Sequence, residues 1–140
     1  MKSIIIDGVE GIWTPTGKPE LPPDYLSPHF RRDEFTCNHC GELPHDPPAQ
    51  LLQILEDLRE EFNAPVIITS GYRCATHNAN VGGAKSSQHR LATAVDVQVK
   101  GVDPVTVHGY CQERMKGMGG LGKYPTFTHV DVRENGPARW

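Results

Sequence analysis

The sequence predicts an α+β domain built on a small, mainly antiparallel sheet flanked by helices. One long segment carries apolar residues at helical spacing, and several short segments alternate apolar and polar residues without regular helix–strand alternation. A length of 140 residues corresponds to one domain. We therefore expect a single domain over residues 1–140, with a proline-rich, irregular N-terminal arm over about residues 1–46.

Two helices are predicted. The segment "PPAQLLQILEDLREEFN" starts with two prolines suited to a first helical turn, and Pro65 follows its end. Its apolar stripe consists of Leu51, Leu52, Ile54, Leu55, Leu58 and Phe62. The second helix is expected over residues 103–117, where Asp103 is a suitable N-cap and Pro104 a suitable first residue.

Short strands are predicted around these helices. The strands are residues 3–6, 65–70, 92–99 and 126–133. The glycine-rich "GGLGKY" is either a turn or a further short strand. Within the arm, "SPHFRRDEF" indicates a short helical turn that Phe30 and Phe35 attach to the core.

The segments 92–99 and 126–133 each have an apolar face and a polar face. Their valines point to one side, whereas Asp96 in the first segment and His129 and Asp131 in the second point to the other. If the two strands are neighbours, Asp96 and His129 lie side by side on one surface. His89 reaches the same surface from the loop that precedes Asp96.

Two imidazoles and one carboxylate form a ligand set that suits zinc and leaves one coordination position open, as in catalytic sites. Zinc in such a site lowers the pKa of its bound water to about 7 and polarises a carbonyl group. Each residue alone is more often an ordinary surface or hydrogen-bonded polar residue. Spacing and strand face therefore leave a metal site and a metal-free polar face equally open.

The four cysteines are Cys37, Cys40, Cys74 and Cys111. The pair in "CNHC" is compatible either with free thiols or with a second metal site to which His39 adds a ligand. We favour free thiols, because a structural zinc site needs four ligands and no second close pair is evident. Cys74 and Cys111 are expected to be packed thiols.

Composition narrows the class of protein. The net charge is −3, and no basic run or stripe points to nucleic acid. No apolar run is long enough to insert into a membrane. The N-terminal "MKSIIIDGVEGIW" lacks the apolar core of a signal peptide, so we expect synthesis in a cytoplasm. We also expect a monomer.

Four motifs, in matching order over roughly residues 27–140, resemble the zinc D-alanyl-D-alanine carboxypeptidase and murein endopeptidase family, in its small single-domain branch. The motifs are "SPHFRRDEFTC", "SGYRC" followed by "NANVGGAKSSQH", "SQHRLATAVD", and "FTHVDVR". The resemblance implies the fold of lysostaphin-type endopeptidases and the hedgehog signalling domain. In that fold a small antiparallel sheet carries zinc on its open face.

The resemblance implies a role for each matching residue. His89, Asp96 and His129 become the zinc ligands, and Arg73 becomes the group that holds a substrate carboxylate or backbone in the active site. Ser87 supports the site at its substrate side through hydrogen bonds.

Other positions are not settled by the resemblance. Tyr124 is a candidate substrate-binding hydroxyl, although simple packing is the alternative. Ala92 stands where the family pattern has glycine, a mild change if the backbone there is ordinary. Relatives place a Glu or His general base where this chain has Thr126 and Phe127, so Asp131 is predicted as the catalytic base or, alternatively, as support for a ligand.

These observations predict a zinc-dependent peptidase that hydrolyses a peptide bond in peptidoglycan, in a stem peptide or a cross-link. We expect a phage-type endolysin or a virion wall hydrolase, which acts on the cell wall once released. The alternative is a catalytically inactive, zinc-containing binding or structural module of the same fold. Carboxypeptidase and endopeptidase activity both remain open.

Overall fold

The structure, a computed structural model, describes residues 2–6, 9–13, 23–84 and 87–140, the first two segments by their backbone. The α-helices are α1 (Ala49–Phe62), α2 (Ala75–Asn80) and α3 (Pro104–Met115), and the 3₁₀ helices are Arg32–Phe35 and Gln88–Leu91. The strands are β1 (Lys2–Ile6), β2 (Val9–Trp13), β3 (Tyr25–Ser27), β4 (Phe30–Arg31), β5 (Val66–Ser70), β6 (Ala94–Val99), β7 (Gly120–Lys123), β8 (Thr128–Asp131) and β9 (Ala138–Arg139).

Five strands form the main sheet, in the order β5-β6-β8-β7-β9. The pairs β5–β6, β6–β8 and β7–β8 are antiparallel, and the short β9 adds parallel to β7. The α+β class with a small, mainly antiparallel sheet is therefore confirmed. The "GGLGKY" segment contains a strand, β7, rather than only a turn.

The apolar stripe of α1 lies in the core, as its spacing predicts. Leu51, Leu55 and Leu58 are inaccessible to solvent, and they pack with the valines of β6 and β8 and with α3. Burying each such side chain stabilises the fold by about 1.5–3 kcal/mol. Asn63 ends α1 in the left-handed conformation with φ 45°, and its backbone N–H donates to the Glu60 carbonyl.

The N-terminal region contains more regular structure than the sequence predicts. β1, which includes the expected strand 3–6, pairs antiparallel with β2, and β3 pairs with β4. Phe30 and Phe35 are 1% exposed in the main core, which confirms that they attach this region to the domain. The buried Glu56 of α1 accepts hydrogen bonds from the Ser27 hydroxyl at 2.7 Å and the His29 backbone N–H at 2.8 Å.

No helix in the described part of the chain combines the length and the apolar character needed to cross a bilayer.

Candidate metal centre

The 3₁₀ helix Gln88–Leu91 brings His89 into the protein interior. The Ser87 hydroxyl caps this helix by accepting a hydrogen bond from the His89 backbone N–H at 3.2 Å. Ala92 ends the helix in the left-handed conformation, with φ 56°. That conformation favours glycine, so Ala92 does not occupy ordinary backbone and its methyl group adds strain of about 1–2 kcal/mol.

The register of the main sheet places Asp96 next to His129. The two residues are direct partners in the antiparallel β6–β8 pair, as strand alternation predicts for neighbouring strands. The three predicted ligands are all buried, with exposed fractions of 2% for His89, 4% for Asp96 and 6% for His129.

One carboxylate oxygen of Asp96 lies between the two imidazole rings. Asp96 Oδ1 is 3.1 Å from His89 Nε2 and 3.1 Å from His129 Nδ1. Candidate ligand atoms of the three residues all lie within 4.8 Å of one another. Among the described residues, no fourth His, Cys, Asp or Glu side chain joins this group, so the protein leaves coordination positions open.

The outer nitrogen of each imidazole is held by an acceptor. His89 Nδ1 lies 2.7 Å from the backbone carbonyl oxygen of Gly71, so this nitrogen carries the proton. His129 Nε2 lies 2.7 Å from Asp131 Oδ2 and donates to that carboxylate. When neutral, each ring therefore presents the lone pair of its inner nitrogen to Asp96.

Without a proton or a cation between them, the two inner ring nitrogens and Asp96 Oδ1 would be three acceptor atoms that face one another in a buried space. Burial alone would raise the pKa of Asp96, but its hydrogen bonds with His129 and His89 outweigh burial and lower this pKa to about 2. The carboxylate is therefore ionised at neutral pH. Opposed lone pairs of His89, His129 and Asp96 repel one another unless a positive charge lies between them. A single proton can form a hydrogen bond between Asp96 and only one of the two rings. A divalent cation can be bound by Asp96 and both rings at once, so these residues fit a zinc ion.

Asp131 lies behind His129 rather than at the space between the three ligands. Its side chain is inaccessible to solvent, and Arg133 binds it with two charge-assisted hydrogen bonds of 2.9 and 2.7 Å. Burial would raise the pKa of Asp131, but the hydrogen bonds from His129 and Arg133 lower it well below its usual range. Of the two roles that the sequence leaves open, this geometry matches support of a ligand.

Arg73 also contacts a predicted ligand. Its Nη2 donates to Asp96 Oδ2 at 3.0 Å, and its Nε donates to the Ser70 hydroxyl at 3.1 Å. The side chain of Arg73 is 15% exposed. Arg73 therefore holds the outer oxygen of Asp96, a role that the sequence does not predict.

Trp140 packs against the predicted ligand His129, and sequence reasoning misses this contact. The two ring centroids are 4.9 Å apart, and the Trp140 indole N–H donates to the Tyr124 hydroxyl at 2.8 Å. A Cβ atom on Gly122 would come within 2.6 Å of the Trp140 ring, so a residue without a side chain is required there. Tyr124 thus reaches the site through Trp140, while its own ring stacks on Phe127.

A mainly antiparallel sheet that carries a buried His-Asp-His group with open coordination positions is the framework of a metal-dependent hydrolase. The sequence pattern of the family described as Peptidase M15 matches residues 28–131. The chain belongs to this peptidase family, which confirms the resemblance inferred from the motifs. The match includes His89, Asp96 and His129.

A relative from Haemophilus influenzae carries the name "Probable peptidoglycan L,D-endopeptidase MepK". This relative is 37% identical over 84 residues, which cover 55% of this chain and 42% of the relative. The alignment thus covers less than half of the relative's length.

Proposed function

We propose that the protein is a zinc-dependent peptidase that hydrolyses a peptide bond in peptidoglycan. The observation that carries the proposal is the buried group of His89, Asp96 and His129, whose inner atoms all point to one space. Membership of the Peptidase M15 family supports the peptidase class. The name of the Haemophilus influenzae relative supports peptidoglycan as the substrate and endopeptidase as the type of activity.

Zinc bound by His89 Nε2, Asp96 and His129 Nδ1 would supply a Lewis acid and an activated water. The chain's own residues prepare the site for this chemistry. The Gly71 carbonyl and the Asp131 carboxylate keep a proton on the outer nitrogen of each ring, so the inner nitrogens stay free to bind metal.

Arg73 and Tyr124 are the proposed substrate contacts. Arg73 lies beside Asp96 with its side chain 15% exposed, and the guanidinium donors not used by Asp96 and Ser70 are available for a substrate carboxylate or carbonyl. Tyr124 is held by the Trp140 indole, which itself contacts His129. Ser87 acts indirectly, because its hydroxyl caps the helix that carries His89.

The test is digestion of purified peptidoglycan with the zinc-loaded protein, followed by mass spectrometry of the released muropeptides. We expect new amino and carboxyl termini at one type of peptide bond, lost with a chelator and restored by zinc. Asp96→Asn, which keeps the side-chain volume but removes the ionised ligand, is expected to release none. Products from Asp96→Asn at the wild-type rate would contradict the proposal.

The second candidate is a zinc-containing module of the same fold that binds peptidoglycan without cutting it. The commitment of Asp131 to His129 and Arg133 favours this candidate, because that carboxylate is not free to accept a proton from water. Co-sedimentation with peptidoglycan, dependent on zinc but without released products, would support the module over the enzyme.

A finer proposal is that the protein is a phage-type endolysin or a virion wall hydrolase. Its test is the addition of purified protein to bacteria whose outer membrane has been permeabilised. We expect the turbidity of the suspension to fall with the wild type and to remain constant with Asp96→Asn. Constant turbidity with both proteins, despite cleavage of purified peptidoglycan, would contradict this finer proposal.

A further inference from the structure

Cys74 meets the Cys37–Cys40 pair, which is distant in the sequence, beside the loop that supports the His-Asp-His group. Cys37, Cys40 and Cys74 offer sulfur atoms that lie within 4.8 Å of one another. Cys37 is buried, Cys74 is partly exposed and Cys40 is exposed, so an ion from solution can reach the group. Cys74 therefore does not stand alone, because it lies beside the Cys37–Cys40 pair.

The backbone around these cysteines directs N–H groups at sulfur. The N–H groups of His39 and Cys74 point at Cys37 Sγ at 3.4 and 3.5 Å, and the His77 N–H points at Cys74 Sγ at 3.4 Å. Such donors stabilise a negatively charged thiolate, which is the form that binds metal. Neutral buried thiols do not require several donors.

The first cysteine pair lies in a tight turn. The Cys37 N–H donates to the Glu42 carbonyl at 2.9 Å, and the Gly41 N–H donates to the Cys37 carbonyl at 2.8 Å. Gly41 adopts a positive φ of 75°, which the residue after a Cys-x-x-Cys turn can adopt without strain because it lacks a Cβ atom. The turn therefore points both sulfur atoms to the same side.

We propose that Cys37, Cys40 and Cys74 bind a second, structural zinc ion, with His39 as the fourth ligand. His39 Nδ1 lies 3.7 Å from Cys74 Sγ. In a tetrahedral site with standard zinc–sulfur and zinc–nitrogen bonds, a sulfur and a nitrogen ligand lie about 3.6 Å apart. The separation of this one pair matches tetrahedral coordination. His39 lies outside the group of three sulfur atoms within 4.8 Å of one another, so its ring must move closer to the other sulfur atoms when it binds. Three thiolates with one imidazole are an established ligand set for structural zinc.

The second ion would join two segments that support the first site. The Cys37–Cys40 turn follows Phe35, whose carbonyl accepts from the Tyr72 N–H at 2.9 Å. Cys74 directly follows Arg73, which binds Asp96, and lies close to Gly71, which binds His89. Holding Cys74 against the turn therefore fixes the loop that orients two of the three ligands of the first site.

Cobalt(II) substitution tests the proposal, because only a site with sulfur ligands gives sulfur-to-cobalt charge-transfer absorption. The His-Asp-His group contains no sulfur and cannot contribute this band. We expect the band in the wild-type protein, its loss in Cys74→Ser, and a fall in zinc from about two ions per chain to about one. The control is Cys111→Ser, since Cys111 is buried in α3 outside the cluster, and it should keep the band.

Two further variants test the fourth ligand. His39→Ala is expected to shift the visible cobalt bands and to weaken cobalt binding at least tenfold, whereas His77→Ala, whose ring stacks beside His39, should change neither. The reverse result would overturn the assignment of His39. Circular dichroism of each variant separates loss of a ligand from loss of folding.

Absence of the charge-transfer band from the folded wild-type protein with reduced thiols would overturn the second site. So would a disulfide between two of these cysteines in protein purified from a reducing cytoplasm, measured by alkylation and mass spectrometry after denaturation. Neither result would affect the proposed peptidase, because hydrolysis of peptidoglycan by the His-Asp-His group is measured separately.

Discussion

Asp131 Oδ2 accepts a hydrogen bond from His129 Nε2 at 2.7 Å, while Arg133 holds the same carboxylate from the other side. His129 and Asp131 both belong to β8 and lie two positions apart, so their side chains share a face of the sheet. This relationship assigns Asp131 to the orientation of His129, and it determines which variants can separate metal binding from proton transfer.

Asp131→Asn is expected to weaken zinc binding by about 10- to 100-fold, because the amide cannot hold the His129 proton as the carboxylate does. A competition titration against a chromophoric chelator measures this change. Asp33→Asn, which alters an exposed carboxylate, should leave the affinity unchanged. A general base would behave differently: turnover would disappear in Asp131→Asn while zinc affinity stayed at the wild-type value.

Zinc binding at the His-Asp-His group should weaken as the pH falls. Burial lowers the pKa of His129, but its hydrogen bonds with Asp131 and Asp96 outweigh burial and raise the pKa above the usual 6.5. The metal-free protein therefore keeps a proton on His129 at and below pH 6.5, and zinc must displace it. In this range the apparent affinity should fall about tenfold per pH unit.

Asp131→Asn should move this fall to lower pH, because the variant removes one of the groups that raise the pKa of His129. Titrations of zinc binding between about pH 5 and 8 compare the two proteins. An unchanged pH profile in the variant would show that Asp131 does not control the protonation of His129.

Arg73→Ala is expected to destabilise the metal-free protein by about 3 kcal/mol, because it leaves the buried Asp96 carboxylate without its charged partner. Urea denaturation of the chelated protein measures the change. Arg32→Ala, which removes a solvent-exposed pair with Asp46, serves as the control. If Arg73 acted on substrate alone, the stability would be unchanged and only KM would rise.

Glu56→Ala is expected to destabilise the protein by about 2–3 kcal/mol, because the buried Ser27 hydroxyl and the His29 N–H lose their acceptor. The same variant should increase the rate of backbone amide hydrogen exchange in residues 25–35, because Glu56 of α1 holds this segment through hydrogen bonds with Ser27 and His29. Glu113→Ala, at an exposed position of α3, is the control. Equal stability of the two variants would contradict the proposed attachment of this region.

Much of the site follows from the sequence, because strand alternation is a local property. The period of two placed Asp96 and His129 on polar faces, and antiparallel pairing then made them direct neighbours. The helical spacing in α1 likewise identified residues that the structure buries. His89 followed from its place in the loop just before Asp96, and the family motifs supported its role as a ligand, although periodicity does not describe that loop.

The remaining contacts depend on distant parts of the chain. Trp140 reaches His129 because β9 pairs with β7, a parallel addition that no local pattern indicates. Cys74 approaches Cys37 across a separation of 37 residues, and the spacing of "CNHC" alone cannot specify that partner. The role of Asp131 depends on which ring nitrogen of His129 its carboxylate contacts, and that nitrogen is the outer Nε2. Strand alternation specifies only the face of the strand and not this contact.

The central claim is that His89, Asp96 and His129 bind one metal ion through their inner atoms. Anomalous diffraction from a crystal of the zinc-loaded protein, recorded at the zinc edge, tests it most directly. The account predicts a peak bonded to His89 Nε2, one Asp96 oxygen and His129 Nδ1, with the remaining coordination free of protein atoms. A peak closed off by a fourth protein ligand, or no peak between these residues at saturating zinc, would contradict it.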